Sequence, residues 1–254
     1  MPIFDSHAHY LDTRFDEDRD ALLTSLLGTD VCGIIENGTT AASSRAAVAL
    51  AHRHPGVWAA VGIHPGDAAG ATEGDLTVLE QLAADDRAIA IGEIGLDYHY
   101  EDACPRAVQQ YWFCAQLELA NRLSLPVVVH DREAHEDTLR LLRQYRPVGV
   151  VHCFSGSVEM ARELVKLGFY LGIGGVVTFK NARKTVEVAA DIPLDRLLLE
   201  TDAPYLAPVP LRGQRCDSSM IRHTADTVAA LLGIATEELL RITADNAKRL
   251  YRLP

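Results

Sequence analysis

The chain has no surplus of positive charge, no paired cysteine motif and no long apolar run, and each lack removes a class of protein. Its 24 Lys and Arg stand against 35 Asp and Glu, for a formal net charge of -11. Proteins that coat nucleic acid by bulk attraction neutralise phosphates with Lys and Arg, so this balance excludes that mode, and a polyanionic substrate would need local help. The five cysteines, Cys32, Cys104, Cys114, Cys153 and Cys216, are odd in number, scattered and without C-x-x-C spacing. They read as reduced thiols of a cytosolic protein rather than as a disulfide framework. No segment approaches the roughly 20 apolar residues of a membrane span, and "MPIFDSHAHY" has neither the basic segment nor the apolar stretch of a secretory signal. A cytoplasmic protein without membrane contact or an obligate protein partner is expected. Ser/Gly linkers, charge blocks and low-complexity tracts are also missing, so residues 1–254 are expected to form a single domain.

What is present is apolar sequence, 48% of the 254 residues, enough for a large core. It is distributed as eight short runs: "PIFDSH", "VCGIIEN", "VWAAVGIH", "AIAIGEIG", "PVVVH", "VGVVHC", "FYLGIGG" and "LLLETD". Between them lie helical patterns such as "HEDTLRLLRQY", with Leu139, Leu142 and Tyr145 on one side, and "SVEMARELVKLG", with Met160, Leu164 and Leu167 apolar and Gly168 as a stop signal. Continuous apolar strands alternating with helices imply a parallel sheet covered by helices. Eight such units match a (β/α)8 TIM barrel, with a doubly wound open sheet as the competitor.

The polar residues favour the barrel. His7 and His9, Glu36, His64, Glu93, His130, His152 and Asp202 each fall at or just past the end of an apolar run, so seven of the eight runs finish in a potential ligand or acid/base group. In a barrel those ends converge on one face, where barrel enzymes carry their active sites; in an open sheet they would be strung along an edge.

Taken singly, the motifs are weak. In "HAH", residues two apart on a strand point to the same side, so His7 and His9 can meet one ion while Ala8 faces away. Glu93, in "AIGEIGLDY", needs a buried Arg or Lys, or else cations to bridge, because an unpaired carboxylate in an apolar strand costs several kcal/mol. His130 and His152 would each pass for hydrogen-bonded core residues, but their repetition at equivalent strand ends is not something a core needs. In "LLLETD", alternation puts Glu200 and Asp202 on one side. Asp202 suits a ligand and general base, whereas Glu200, one layer deeper, suits either a partner for a histidine or a structural ion pair. His64 in "VGIHPG", and Lys180, Arg183 and Lys184 beyond the seventh run, could meet a phosphate or could simply be solvated.

Four histidines and two carboxylates, with no thiolate, suit zinc, magnesium, manganese or another divalent ion in an open catalytic site. With one bridging carboxylate they suffice for two ions roughly 3.5–4 Å apart, the arrangement used in hydrolysis of phosphoryl and acyl compounds.

Together, "FDSHAHYLD", "VGIHP", "IGEIGLDYHY", "QQYWFCAQLELANRLSLPVVVHDREAHED", "VVHCFSGS", "YLGIGGVVTFKNA", "LLLETDAPYLAPVPLRGQR" and "NAKRLY" resemble the TatD family of metal-dependent deoxyribonucleases, within the amidohydrolase-like barrel superfamily. The likeness covers nearly the whole chain. It implies a two-metal hydrolase, similar to DNases and 3′–5′ exonucleases, with DNA as substrate. It places His7, His9, Glu93, His130, His152 and Asp202 as metal ligands, Glu93 being shared and also catalytic together with Asp202. Lys180, Arg183, Arg212 and Arg215 are expected near the mouth, with His64 and Glu200 supporting the centre. The resemblance also admits hydrolysis of other esters, to which some relatives have been linked. The chain departs from the pattern at Gly66, where a histidine is common, and at Cys216, Asp217 and Ser218 in "RGQRCDS", where "RGKRNEP" is common. Because this loop follows the last strand, its change bears on substrate contacts and motivates a deacylase or small-ester hydrolase as the alternative.

Overall fold

The computed structural model describes residues 2–99 and 104–254, so the last residue of "IGEIGLDYHY" lies outside the described residues. Eight strands run β1 Ile3–Ala8, β2 Val31–Asn37, β3 Val57–Val61, β4 Ala88–Asp97, β5 Val127–Arg132, β6 Gly149–Val151, β7 Tyr170–Ile173 and β8 Leu197–Leu199. The helices between them are α1 Arg19–Leu27, α2 Ala41–Arg53, α3 Glu73–Leu82, α4 Arg106–Leu123, α5 His135–Tyr145, α6 Val158–Lys166 and α7 Arg183–Asp191, followed by α8 Ile221–Leu232 and α9 Thr236–Tyr251. Neighbours in sequence are parallel neighbours in the sheet, in the order β1 to β8. The ring closes where Ala8 bridges Ala203, His9 N donates to Ala203 O at 2.7 Å, and Asp202 N donates to His7 O at 3.0 Å. This is the (β/α)8 barrel expected from the alternation, not the open sheet.

The strands are covered on both faces, which is why their sequences are apolar runs rather than alternations. All ten residues of β4 are buried. The outer layer packs side chains such as Leu23, Leu50 and Phe113 between strands and helices. The lower interior is filled by Phe4, Ile35, Ala60, Val128, Val150 and Leu198, and α9 lays Ala247, Leu250 and Tyr251 across it as a plug. Burying one such Leu, Ile or Phe contributes about 1.5–3 kcal/mol. With that end sealed by apolar residues, the strand C-termini are left to carry polar ones.

The helical patterns land where expected, with adjusted faces. α5 buries Thr138, Leu141 and Leu142, while Leu139 and Tyr145 are only half-buried at its edge. α6 starts behind Ser157, whose hydroxyl accepts from Met160 N, and buries Met160, Ala161 and Leu164.

Several strand bounds differ from the apolar runs. β4 continues four residues past Glu93 to Asp97, so Glu93 stands mid-strand rather than at its end. His7 and His130 also lie within β1 and β5, whereas His64, His152 and Asp202 lie beyond β3, β6 and β8. After Leu199 the chain turns, and Asp202 takes a left-handed conformation at φ 63°. Asp202 thus reaches the centre through a turn and not through the strand alternation read from "LLLETD".

Candidate metal centre

β4 places Glu93 at the axis of the barrel mouth because two glycines flank it. A Cβ at Gly92 would press on Val128 of β5 at 2.6 Å, and Gly95 has φ 142° with the His130 backbone in the space a side chain would need. The two glycines let β4 and β5 approach closely enough for Glu93 to meet His130.

The two oxygens of Glu93 face different groups. Oε2 lies 3.5 Å from His7 Nε2 and 3.3 Å from His9 Nε2, and Asp202 Oδ1 approaches the same nitrogens at 3.7 and 3.5 Å. Oε1 lies 2.9 Å from His130 Nδ1, 2.9 Å from His152 Nε2 and 3.6 Å from His64 Nε2. The structure therefore brings together all six residues named as ligands, and His64 joins them as a seventh rather than standing apart.

The donor set fits divalent metal. His7 Nε2 faces His9 Nε2 at 3.0 Å, and His130 Nδ1 faces His152 Nε2 at 3.1 Å, so lone pairs converge where only a proton or a cation can sit between them. His9 Nδ1 lies 3.1 Å from the Asn37 carbonyl, which can only accept, so the hydrogen sits on Nδ1 and Nε2 is turned to the centre. Burial opposes a charge on His9, yet Glu93 and Asp202 outweigh it and push this imidazole up to about 10. Burial likewise opposes ionisation of Glu93, but His152, His64 and His7 and the hydrogen bond with His130 hold its carboxyl well below the usual range. The site demands positive charge at its middle. Burial raises the Asp202 carboxyl, with His9 and His152 pulling it back, which leaves it more basic than an exposed aspartate.

One supporting contact comes from Asp97, which was not among the expected site residues, and others from Glu36 and Glu200, which were named. Asp97 Oδ2 lies 3.1 Å from His130 Nε2 and orients that ring. Its signal was available, since residues 93, 95 and 97 share one side of a strand. Glu36 accepts from Tyr10 N at 2.7 Å and Leu11 N at 3.0 Å, fixing the turn that carries His9. Glu200 accepts from Cys153 N and lies 3.8 Å from His152 Nδ1; burial pushes its carboxyl up to about 8 against the pull of His152.

The centre floors a cavity of about 510 Å³. Arg132, Asn37, Thr39, Ser43, Gly66 and Tyr205 contribute to its wall. The four cations expected at the mouth are not part of that lining. Arg183 pairs with Glu187, Arg215 pairs with Asp18, Arg212 lies 4.2 Å over the Phe179 ring, and Lys180 is exposed. They were read as neighbours because the segments carrying them follow the last strands, but the three arginines are engaged locally; among the described residues, Arg132 is the Lys or Arg of the wall. The changed loop is also not in the lining. Cys216 is buried, Asp217 caps the short 3-10 turn Ser218–Met220, and Ser218 Oγ donates to Asp5 Oδ2 at 2.7 Å beneath the barrel rim. Gly66 does line the cavity, its N donating to His64 Nδ1 at 3.0 Å. No helix among the described residues is long and apolar enough to cross a membrane.

Residues 4–252 match the family model described as TatD related DNase. The chain is similar to the metal-dependent hydrolase YabD of Bacillus subtilis (strain 168), 41% identical over 254 residues and covering 99% of each chain. It is 38% identical over 263 residues to the 3′-5′ ssDNA/RNA exonuclease TatD of Erwinia billingiae (strain Eb661), covering 99% of this chain and 100% of that one. Its structure resembles that of YJJV, a TatD homolog from Escherichia coli K12, at a TM-score of 0.92 and 33% identity, covering 99% of this chain and 98% of the other. Fold, convergent ligand set and full-length likeness agree: the chain belongs to the TatD family of metal-dependent hydrolases.

Proposed function

We propose that the protein hydrolyses phosphodiester bonds of single-stranded nucleic acid, working from a 3′ end with two divalent ions. The observation that carries this reading is the division of Glu93, with one oxygen toward His7 and His9 and the other toward His64, His130 and His152. Asp202 would complete the first set. The nitrogen and oxygen donors suit zinc, manganese or magnesium. Such ions, when bound, lower the pKa of water and neutralise a phosphate.

The chain's own residues do the rest. Asp202, with its side chain 20% exposed at the floor, receives the proton of the attacking water on its carboxylate. Arg132 offers a charged fork to the phosphate, and the Thr39 and Ser43 hydroxyls extend the polar wall. Tyr205, 41% exposed and backed by Arg14 at 4.2 Å, offers a ring on which a terminal base can stack. The homologue named as an ssDNA/RNA exonuclease supports the substrate class. The changed loop no longer argues for a deacylase, because it packs beneath the rim instead of lining the cavity.

The test is release of mononucleotides from 3′-hydroxyl DNA and RNA oligonucleotides with Mg2+ or Mn2+, beside a panel of carboxyl esters and amides. Asp202→Ala and Glu93→Ala are each expected to lose at least about 100-fold, the scale of acid/base contributions. Activity that survived both substitutions, or a preference for a carboxyl ester, would overturn the assignment.

A further inference from the structure

A second cavity, of about 470 Å³, lies at the opposite end of the barrel. Its wall includes Pro126, Val148, Tyr170 and Arg196, which begin or immediately precede β5, β6, β7 and β8. The metal centre is at the other ends of the same strands, so the two cavities are separated by the packed interior.

This wall carries four arginines, Arg146, Arg196, Arg249 and Arg252, and among its described residues no Asp or Glu. In a chain of net charge -11 that is unexpected. Elsewhere on the surface arginines meet carboxylates: Arg162 pairs with Asp191, Arg143 with Glu163 and Arg140 with Asp137. Here Arg249 reaches only the Asn246 amide oxygen at 3.1 Å, and Arg196 lies 5.1 Å over the Tyr170 ring. Among the described residues, the guanidinium groups of Arg146 and Arg252 have no hydrogen-bond or ion-pair partner.

Helix ends account for part of this. Arg146 and Arg252 cap the C-termini of α5 and α9, and Arg249 lies in the last turn of α9. A cation is favoured at each place. A helix C-terminus, however, carries only about half a negative charge. Even with α4 and α6 also ending at this cavity, the four dipoles amount to about two negative charges against four full positive ones. The site remains positive, and it is concave.

We infer that this cavity binds a diphosphate group, either free or carried by a nucleotide. Two linked phosphoryl groups present enough oxygens for several guanidinium forks at once, which a single phosphate does not. Exposed Val148 beside the arginines gives an apolar surface for the remainder of a nucleotide.

The test is calorimetric titration of the full-length, metal-containing protein with pyrophosphate, ADP, orthophosphate, adenosine and a short single-stranded oligonucleotide. Saturable binding of pyrophosphate or ADP is expected, weaker binding of orthophosphate and none of adenosine. Whichever of pyrophosphate and ADP binds more tightly identifies the source of the diphosphate. The combined substitution Arg146→Ala and Arg252→Ala should weaken that binding at least about tenfold, the loss of one charge-assisted contact or more, with circular dichroism and hydrolytic activity unchanged. Binding that is absent in the unsubstituted protein, that survives the arginine substitutions, or that is lost in Glu93→Gln instead, would overturn the inference. So would arginine-dependent binding of the oligonucleotide tighter than that of either diphosphate.

Discussion

At the scale of single residues, the most informative contact is the one between Asp97 and His130. His130 has a nitrogen for the centre only if its ring is held, and Asp97 holds it from the other side at 3.1 Å. Asp97→Ala is expected to lower metal affinity by about 10–100-fold, the range found when the partner of a ligating histidine is lost. Competition with a chromogenic chelator would measure it, and an affinity equal to that of the unsubstituted protein would show that the ring needs no such support. Ser218 belongs to a different network. Its hydroxyl donates to Asp5 Oδ2, which also accepts from Thr201 Oγ1 at 2.6 Å, and Tyr10 OH lies 2.7 Å from it, so Ser218→Ala removes one of two donors to a buried carboxylate oxygen and leaves the buried Tyr10 hydroxyl without its acceptor. The expected cost is about 1–3 kcal/mol in denaturant unfolding, with activity per folded molecule unchanged because the serine is outside the active cavity. A drop in turnover without a drop in stability would return this loop to the list of substrate contacts.

At the scale of elements, β4 carries the site and its two glycines set how near it comes to β5. Gly95 occupies φ 142° against the His130 backbone, a conformation and a space that only glycine tolerates. Gly95→Ala is expected to destabilise by at least about 2 kcal/mol, from overpacking together with the unfavourable φ. The same shift would move His130 relative to Glu93, so metal affinity should fall with it. A thermal midpoint and a metal affinity both unchanged would mean that β4 and β5 have slack that the packing does not show. The turns after β6 and β8 work in the same way. Cys153 at φ 43° and Asp202 at φ 63° swing their chains out of the extended conformation, and Glu200 ties the first turn through Cys153 N.

At the scale of the whole molecule, the barrel gathers ligands from strands far apart in sequence, so ligand convergence and folding depend on each other. Metal that binds the folded chain and not the unfolded one stabilises it by about 2.7 kcal/mol at a free concentration 100 times the dissociation constant. Chelation should therefore abolish hydrolysis and also lower the melting temperature, and a divalent ion should restore both. An unchanged melting temperature after the metal had been shown to leave would break that coupling. Without metal, Glu93 is, among the described residues, the one carboxylate within 3.6 Å of His7, His9, His64, His130 and His152 together, so Glu93→Gln should lower the melting temperature of the apo protein more than any single histidine replacement. The acidic net charge fits the proposed enzyme, which would meet its substrate's phosphate at the cavity above Glu93 rather than along its surface.

Two kinds of information were separable in this protein. Eight apolar runs alternating with helical patterns determined the barrel, because strands buried on both faces cannot alternate and eight such units close. The same rows made His7, His9, Glu93, His130, His152 and Asp202 legible as a candidate set, since polar residues recurring at one end of apolar strands have no role in a core. Their positions along the strands, however, were decided by tertiary structure. Glu93 is mid-strand because β4 runs on to Asp97, and Asp202 arrives through a left-handed turn. Long cationic side chains were the least legible of all. Lys180, Arg183, Arg212 and Arg215 sit on the segments that follow β7 and β8, near the right end of the barrel, but a flexible side chain takes whichever partner folding puts beside it. Only the folded chain decides which arginine lines the cavity above Glu93, Arg132 among the described residues, and which collect away from carboxylates at the far end of the barrel.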